Sequence, residues 1–380
     1  MDINELKWLE DIDFISKEYE STFGAPPLNL SDWNPSLKFK EDLNIRTPLS
    51  EFIDPIDYIF SYDLGCKEKI INRIGFSNSG FLATHSGSSA ILASISAIKS
   101  RGYKKALIVC PHYFTVPYAL KSMGLEYSFI YSSKQGSKYL LPTLDEINEK
   151  EFDFLWITNP VYCTGIKYNS QDLRDLIYGT QKDKIIVIDE CINPDLYINC
   201  IYKEIKTENT FIIFSPHKSI CVNGIKFGGV SFPHSYQNEF DDWSDVLQGC
   251  LPKSSLVAID HFLSSDFSRY RSEFIEKIYN NYTVIKEIIS DFRSLDIDDF
   301  CESYLVTVYA NHIPAKHGEN FKFMKEVAYH TGATFISGRR NKIPDSVGLS
   351  FRINLACHNK EFEGCIFRTF QYLNNLKPII

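Results

Sequence analysis

The sequence predicts an α/β fold with a large domain around a mostly parallel sheet and a smaller α+β domain. Between about residues 80 and 235, short apolar runs alternate with amphipathic helical patterns. The runs are continuous rather than alternating in polarity, which is typical of parallel strands covered on both faces. Strands that alternate with helices indicate a parallel sheet with helices on both sides. A third observation is a long helical pattern followed by a mixture of strands and helices, which indicates a separate C-terminal domain.

Four apolar runs are the predicted strands of the large domain. They are ALIVC (106–110), FLWIT (154–158), IIVID (185–189) and FIIFS (211–215). Each is rich in β-branched or aromatic residues and is short enough for a strand. The amphipathic stretch AILASISAIKS (90–100) is a predicted helix between strands.

The C-terminal region begins with apolar residues at helical spacing from about 268 to 295. Strands are predicted at 304–310, 334–337 and 349–356, and helices near 320–331 and 360–374. We therefore predict three parts. Residues 1–50 are an N-terminal segment that packs on the small domain, 51–270 are the large domain, and 271–380 are the small C-terminal domain.

Composition excludes several classes of protein. The 380 residues are 44% hydrophobic and 23% charged, with a formal net charge of −8 and a pI of about 5.7. An acidic chain lacks the basic footprint of a nucleic-acid binder. No run approaches the roughly 18 apolar residues of a membrane span, and the N-terminus lacks a signal-peptide pattern. The ten scattered cysteines lack metal spacing, so we expect free thiols in the cytoplasm and no metal site.

Ligands of open α/β sheets bind outside the carboxyl ends of the strands, so residues that follow the predicted strands are candidates. Each has a purely structural alternative, such as a helix cap, a packed loop residue or a turn. The candidates are Ser86, Gly87 and Ser88 before a helix, Tyr113 after the first strand, Asn159 and Tyr162 after the second, and Asp189 at the end of the third. A Ser/Gly turn at a helix N-terminus can hold a phosphate, and a buried Asp needs a cationic partner.

The strongest candidate follows the fourth strand. Lys218 lies three residues after Ser215, and Lys226 follows among glycines. Desolvation and nearby cations would lower the pKa of such a Lys and make its amine a nucleophile. Arg352 lies inside an apolar strand and needs an anion. The anion is either a substrate carboxylate or an internal acid.

In this order, the candidates resemble the fold-type I pyridoxal-5′-phosphate (PLP) enzymes, specifically the class I/II aminotransferase family, over residues 28–370. Ser215-x-x-Lys218 followed by Gly224-x-Lys226-x-Gly228 is similar to the family's S-x-x-K-x5-G-x-R-x-G segment. SGSSAI (86–91), PHY (111–113), VIDE (187–190), ATFISG (333–338), FRINLA (351–356) and LNLSDWNPS (28–36) resemble further family segments.

The resemblance implies a seven-stranded type of sheet, a homodimer and a role for each candidate. Lys218 would hold PLP as a Schiff base and act as the catalytic proton shuttle. The phosphate would be bound by Ser86, Gly87, Ser88, Ser215 and Lys226. Tyr113 would stack on the ring, Asp189 would bind its nitrogen, and Arg352 would bind the substrate carboxylate.

Five positions depart from the family pattern. One is Lys226, which replaces the Arg of the family's segment. Tyr162 replaces the Asn that touches the ring oxygen, and Ile192 replaces the usual Tyr. We hypothesise that the Tyr162 hydroxyl substitutes for both, with Asn159 as a weaker candidate. Trp33 stands in place of a Gly beside the substrate carboxylate, and Phe60 stands in place of a Tyr that reaches the partner's phosphate.

These patterns leave three functions open. The first is an aminotransferase that converts an α-amino acid and a 2-oxo acid. The second is a PLP-dependent lyase, cyclase or oxidase/hydroxylase of a specialised biosynthetic pathway, which Tyr162, Ile192 and Trp33 favour. The third is a non-catalytic PLP-binding protein, which the presence of both Lys218 and Asp189 disfavours.

Overall fold

The computed structural model describes residues 7–43, 58–59, 79–180, 183–193, 208–223, 226–249, 251–252, 255 and 266–376. Contacts divide the chain into two compact units. The large unit comprises residues 45–162 and 166–274, and the small unit comprises residues 1–44, 163–165 and 275–380.

The described strands, in chain order, are β1 (Leu28–Asn29), β2 (Tyr58–Ile59), β3 (Ser79–Thr84), β4 (Lys105–Cys110), β5 (Glu126–Tyr131), β6 (Ser133–Gln135), β7 (Lys138–Leu140), β8 (Phe154–Thr158), β9 (Ile185–Asp189), β10 (Thr210–Phe214), β11 (Gly228–Pro233), β12 (Leu251–Pro252), β13 (Asp296–Ile297), β14 (Leu305–Ala310), β15 (Ala333–Thr334) and β16 (Leu349–Asn354).

The described α-helices are α1 (Lys7–Phe23), α2 (Leu37–Leu43), α3 (Gly87–Ser100), α4 (Thr115–Ser122), α5 (Leu144–Asn148), α6 (Ser170–Gly179), α7 (Gln237–Asp242), α8 (Asp266–Ser290), α9 (Phe321–Thr331) and α10 (Lys360–Asn375).

The large unit contains a seven-stranded sheet in the order β3-β11-β10-β9-β8-β4-β5. β11 is antiparallel to both of its neighbours, and the neighbouring pairs from β10 to β5 are parallel. Every residue of β8, β9 and β10 is buried, which explains why these strands are apolar without alternation. The prediction of an α/β fold with a mostly parallel sheet is confirmed.

The strand bounds differ from the prediction at functionally relevant ends. β8 and β9 have the predicted bounds, whereas β10 ends at Phe214, one residue earlier than predicted. Ser215 therefore leaves the ladder and precedes a 3₁₀ helix, Pro216–Ile220, that carries Lys218. Ser86 is the extended N-cap residue of α3, and its Oγ accepts a hydrogen bond from the Ser89 N–H at 3.2 Å.

The small unit is α+β. β13, β14 and β16 form an antiparallel sheet, and β1 pairs in parallel with β15. The predicted strand at 334–337 is only Ala333–Thr334, because Ser337 caps the 3₁₀ helix Gly338–Asn341. α1 packs on α9, with Glu18 bonded to Lys325 at 2.5 Å, so the N-terminal helix is part of this unit.

Three further findings concern the described ranges. None of their helices is long and apolar enough to cross a membrane. Their seven cysteines are all free thiols. No group of three or more His, Cys, Asp or Glu side chains within them could hold a metal ion.

Candidate active site

The predicted cofactor residues of the large unit follow strands of one sheet, and several of them converge on Gly87. A Cβ atom placed on Gly87 would lie 2.7 Å from Cys191 Sγ, 3.5 Å from Lys218 Nζ and 3.7 Å from Ser215 Cβ. The first residue of α3 therefore borders both the Lys218 amine and the end of β9. Gly87 has no side chain to separate them, which is why these groups can share one space.

A second close approach joins the start of β11 to the start of α3. A Cβ on Gly228 would lie 2.4 Å from the Ser86 carbonyl carbon and 2.5 Å from the Gly87 nitrogen. These are backbone atoms that cannot move aside, so only glycine fits at position 228. Ser88 is half-buried in the first turn of α3.

Aromatic rings line the same space. The Lys218 Nζ atom lies 5.8 Å from the centroid of the Tyr113 ring, on its face. Tyr113 in turn contacts Tyr162, with ring centroids 5.1 Å apart and planes tilted by 42°. Tyr162 is 3% exposed. The structure thus brings together an amine and two tyrosines that come from three separate segments.

Asp189 ends β9 as a buried carboxyl group, 3% exposed. Its Oδ1 accepts a hydrogen bond from the Cys191 backbone N–H at 3.1 Å. Burial raises the pKa of Asp189, and the Cys191 side chain and N–H together with Lys218 act in the opposite direction without cancelling it. A cationic ligand group beside Asp189 would therefore strengthen its ionised form.

The expectation of a lowered pKa for Lys218 is wrong for the chain by itself. Burial lowers the pKa of Lys218, but the neighbouring Cys191, Tyr113 and Asp189 raise it by more, so the net shift is upward. The sequence argument counted desolvation and nearby cations. It could not place three acidic groups around the amine.

Ser215 and His217 fix the segment that leads into β11. Ser215 Oγ donates to the Phe227 carbonyl at 2.7 Å. His217 Nδ1 lies 3.5 Å from Ser215 Oγ. Lys226, immediately before Phe227, is exposed and influences His217 electrostatically.

Asn159 is held by protein partners. Its Nδ2 donates to Glu190 at 2.8 Å, and its Oδ1 accepts from the Tyr168 N–H at 3.1 Å. Glu190 is fully buried and also accepts from Asn193 at 2.5 Å. These bonds give Asn159 a structural role. Ile192 is a buried apolar residue, 8% exposed, and Phe60 lies outside the described residues.

Arg352 and Trp33 lie together in the small unit. The Arg352 guanidinium carbon lies 4.0 Å above the Trp33 ring, and Nη2 donates to the Ser31 carbonyl at 2.9 Å. Ser31 Oγ bonds back to the Arg352 carbonyl at 2.6 Å. The thiol of Cys163, a residue with a φ of 73°, hydrogen-bonds the guanidinium. The plane of Arg352 is thereby fixed on a buried strand.

Two further arginines of the small unit, Arg339 and Arg340, are paired with internal acids. Both bind Glu319, Arg339 through Nη1 and Arg340 through Nε at 3.2 Å. Arg339 also binds Asp345 at 3.0 Å. Internal acids therefore satisfy the charges that a substrate could have used.

Sequence reasoning missed four residues that border these groups, namely Ser31, Cys163, Cys191 and His217. Each lies within two positions of a candidate in the sequence. Ser31 and Cys163 also contact Arg352, which is distant from both in the sequence. The local signal was a polar or thiol side chain next to a strand-end candidate. That signal is too common to select a residue without coordinates.

Comparison with known proteins shows the fold. No protein-family model matches the sequence, and no curated protein sequence matches it. Solved structures do match over nearly the whole chain. An aminotransferase from Escherichia coli superposes with a TM-score of 0.78 at 16% identity, covering 96% of this chain and 95% of its own.

Two other solved structures agree with this match. An aminotransferase from Mycobacterium tuberculosis has a TM-score of 0.76 at 16% identity and covers 96% of both chains. Escherichia coli YbdL, described with a methionine aminotransferase function, has a TM-score of 0.73 at 13% identity, covering 95% and 96%. The chain therefore has the fold-type I architecture of these aminotransferases, as predicted.

The environment of His217 predicts an acid-sensitive stability. Burial, with Lys218 and Lys226, lowers the pKa of His217 to about 3, whereas an unfolded His titrates near pH 6.5. As the pH falls below 6.5, His217 becomes protonated in the unfolded chain but stays neutral in the folded chain, so the free energy of unfolding decreases. The contribution is about 2 kcal/mol at about pH 5.

We expect a His217→Asn variant to lack this loss. Urea unfolding of both proteins at about pH 7.5 and about pH 5 measures it. The free-energy difference, wild type minus variant, should fall by about 2 kcal/mol between the two pH values. The remaining histidines contribute equally to both proteins. A difference that stays constant with pH would contradict the buried, neutral imidazole.

Proposed function

We propose that the chain is a PLP-dependent aminotransferase that acts on an α-amino acid and a 2-oxo acid. The observation that carries this proposal is the space beside Gly87. It combines the Lys218 amine, the end of β9 with Asp189, and the start of a 14-residue helix. The fold shared with solved aminotransferases supports the same conclusion.

The residues present fit a phosphorylated pyridine. Gly87 and Gly228 let the start of α3, the start of β11 and the Lys218 amine approach one another closely, since a Cβ at either position would lie 2.7 Å or less from a neighbouring atom. The N-terminus of α3 offers backbone N–H groups and a positive dipole to a phosphate. Lys226 would complete the phosphate site, although it offers a point charge rather than a bidentate fork. Ser215 would join it by exchanging the hydrogen bond that its Oγ donates to the Phe227 carbonyl for one to the phosphate.

The remaining groups of the large unit fit the ring. Tyr113, which faces the Lys218 amine at 5.8 Å, would cover one face of it. Asp189 would bind its nitrogen and keep it protonated. Tyr162, adjoining Tyr113, would bind the ring oxygen, since Asn159 is bonded to Glu190 and Tyr168.

PLP, when bound, supplies an electron-accepting ring for the negative charge that develops at the substrate Cα. Lys218 Nζ would hold the cofactor before substrate binds, and once displaced it would remove the proton from Cα and return it. Its raised pKa in the chain alone means that it meets the cofactor as a cation and must first lose a proton.

Arg352 would bind the substrate carboxylate. Its guanidinium lies against Trp33 and is held by Ser31 and Cys163, so it is oriented before the substrate arrives. Preorganised charge of this kind costs little reorganisation on binding. Trp33 would limit the room beside the carboxylate.

The proposal also includes an oligomeric state and a cellular location. We propose a homodimer, because the fold-type I resemblance implies a site that the partner subunit completes. We also propose a cytoplasmic location, for which the seven free thiols of the described segments are support, since thiols persist in reducing compartments.

The first test is a visible spectrum of purified protein with PLP, titrated with a panel of amino acids with and without oxygen. We expect a Lys218-dependent absorption band that one class of amino acid bleaches and a 2-oxo acid restores. The Lys218→Ala variant is the control, and it should lack that band. A wild-type protein that acquires no band with added PLP would contradict the proposal.

A different spectral outcome would redirect the chemistry. If the band returned without any added 2-oxo acid, the reaction would be elimination, cyclisation or oxidation. Dependence on oxygen would then identify oxidation. Either result would overturn the aminotransferase assignment while leaving PLP binding intact.

The second test concerns Arg352. Replacement of Arg352 by Lys removes the planar fork, and we expect kcat/KM for the amino acid to fall roughly 10- to 100-fold, mainly through KM. Arg339→Gln is the matched control, since Arg339 is paired with Glu319 and Asp345, and it should change kcat/KM less than about threefold. Equal losses in the two variants would contradict the assignment.

A further inference from the structure

Glu190 is a buried carboxylate that directly follows Asp189 at the end of β9. Its relative exposure is 0%. A carboxylate in such surroundings destabilises the fold unless hydrogen bonds satisfy its oxygens. The groups that donate to Glu190 therefore indicate its role.

Two buried amides donate to the two oxygens of this carboxylate. Asn159 Nδ2 donates to Oε1 at 2.8 Å, and Asn193 Nδ2 donates to Oε2 at 2.5 Å. The Asn193 backbone N–H also donates to the Glu190 carbonyl at 3.0 Å, which closes the turn that follows β9. Glu190 thus binds its own turn on one side and the residue that follows β8 on the other.

A third segment fixes the orientation of the Asn159 amide. Asn159 Oδ1 accepts from the Tyr168 backbone N–H at 3.1 Å. Because an amide has one acceptor oxygen and one donor nitrogen, only Nδ2 is left to face Glu190. Asn159 and Tyr168 are the ends of the stretch of sequence that contains Tyr162. The Glu190 carboxylate therefore holds the amide that joins the two ends of this stretch.

Backbone hydrogen bonds hold Asp189 at the same place. The Asn159 N–H donates to the Asp189 carbonyl at 2.9 Å, and the Glu190 N–H donates to the Ile213 carbonyl of β10 at 2.8 Å. The ladder of β8 and β9 ends with Thr158 opposite Asp189. The side-chain bond between Asn159 and Glu190 joins the next residue of each strand, so it opposes fraying at the end that carries Asp189.

We propose that Glu190 is a positioning residue that holds two cofactor contacts at once, the Asp189 carboxylate and, through Asn159, the segment of Tyr162. This inference rests on the proposed function, in which Asp189 binds the ring nitrogen and Tyr162 binds the ring oxygen. Glu190 acts through Asn159 and through the backbone rather than by touching the cofactor.

The chain offers a pair of substitutions that exchanges the two partners. Glu190→Gln alone keeps the shape but turns one acceptor oxygen into a donor, which then faces the donor of Asn159 or of Asn193. When Asn159→Asp is combined with Glu190→Gln, the new carboxylate at position 159 accepts from the Tyr168 N–H and from the new amide at position 190. The oxygen of that new amide accepts from Asn193. The double variant therefore restores every bond of the network with the same total charge.

The first readout is the affinity of each protein for PLP, measured by absorbance titration. We expect Glu190→Gln to bind PLP roughly tenfold more weakly, as for loss of one hydrogen bond to a charged group. The double variant should stay within about threefold of wild type. A double variant that is unfolded, or that binds PLP as weakly as Glu190→Gln, would overturn the inference.

The matched control lies at the opposite end of the same strands. Asn209 Nδ2 donates to the Lys184 carbonyl at 2.8 Å, and these residues immediately precede β10 and β9. Asn209→Ala should lower the melting temperature of the same sheet but leave the affinity for PLP within about threefold of wild type. An equal loss of affinity in Asn209→Ala and Glu190→Gln would show that Glu190 only stabilises the sheet, and would overturn the positioning role.

The second readout separates positioning from stability. At saturating PLP, Glu190→Gln should lower kcat per bound cofactor roughly tenfold and change KM for the amino acid less than about threefold. The reason is that the ring contacts are displaced while the proposed carboxylate site at Arg352 is unchanged. The double variant should recover kcat. A kcat in Glu190→Gln equal to that of wild type would contradict the positioning role.

A cofactor-free measurement tests the network itself. The Tyr168 N–H should exchange with deuterium roughly tenfold faster in Glu190→Gln than in wild type, because the Asn159 oxygen that accepts from it is no longer held in place. The double variant should return the exchange to the wild-type rate. Exchange that is equally fast in both variants would show that Glu190 does not hold this amide, and would overturn the inference.

The outcomes distinguish this inference from the proposed function. If wild type binds PLP and Glu190→Gln matches it in affinity and kcat, the positioning role is overturned and the aminotransferase proposal stands. If Glu190→Gln yields no folded protein, the double variant carries the test, and it must fold and bind PLP as wild type does. If wild type binds no PLP, the proposed function fails and the positioning role fails with it, whatever the exchange rates show.

Discussion

The large unit depends on one close contact, the approach of Gly228 to the backbone of Ser86 and Gly87. A Cβ at position 228 would overlap main-chain atoms at 2.4 and 2.5 Å. This contact follows from the pairing of β3 with β11, in which Gly228 lies opposite Thr84, because α3 begins just beyond the end of β3. Any larger residue would separate the start of β11 from the start of α3.

The consequence is that an amine, a thiol and an aromatic ring lie close together inside an otherwise apolar sheet unit. Burying a carboxyl group and an amine is expensive unless each finds a partner. The Cys191 backbone N–H bonds the Asp189 carboxylate, and burial still leaves the pKa of Asp189 raised. A ligand with its own cationic nitrogen would improve the balance on the carboxylate side, which is a physical reason to expect a bound cofactor.

The small unit also buries a charged group, the Arg352 guanidinium. The guanidinium is held on one face by Trp33 and at its edge by the Ser31 carbonyl and the Cys163 thiol. These neighbours fix its plane, so that Arg352 is oriented before a carboxylate binds.

Much of the fold could be predicted from the sequence. β8, β9 and β10 are buried on both faces, and such strands are continuous apolar runs in the sequence. The strand-end candidates Asp189 and Lys218 could be predicted for the same reason, since parallel strands end at one edge. Three findings could not be predicted from the sequence. They are the raised pKa of Lys218, the hydrogen bond of Asn159 to Glu190 and the pairing of Arg339 with Glu319. Each depends on neighbours that are distant in the chain, and sequence spacing carries no information about them.

The central claim, that Lys218 holds PLP, is tested most directly by reductive trapping. Protein incubated with PLP would be treated with borohydride, digested and analysed by peptide mass spectrometry. The account predicts one stable phosphopyridoxyl adduct, on the peptide that contains Lys218, and competition by excess inorganic phosphate. An adduct on Lys226 or on surface lysines, with Lys218 unmodified, would contradict it.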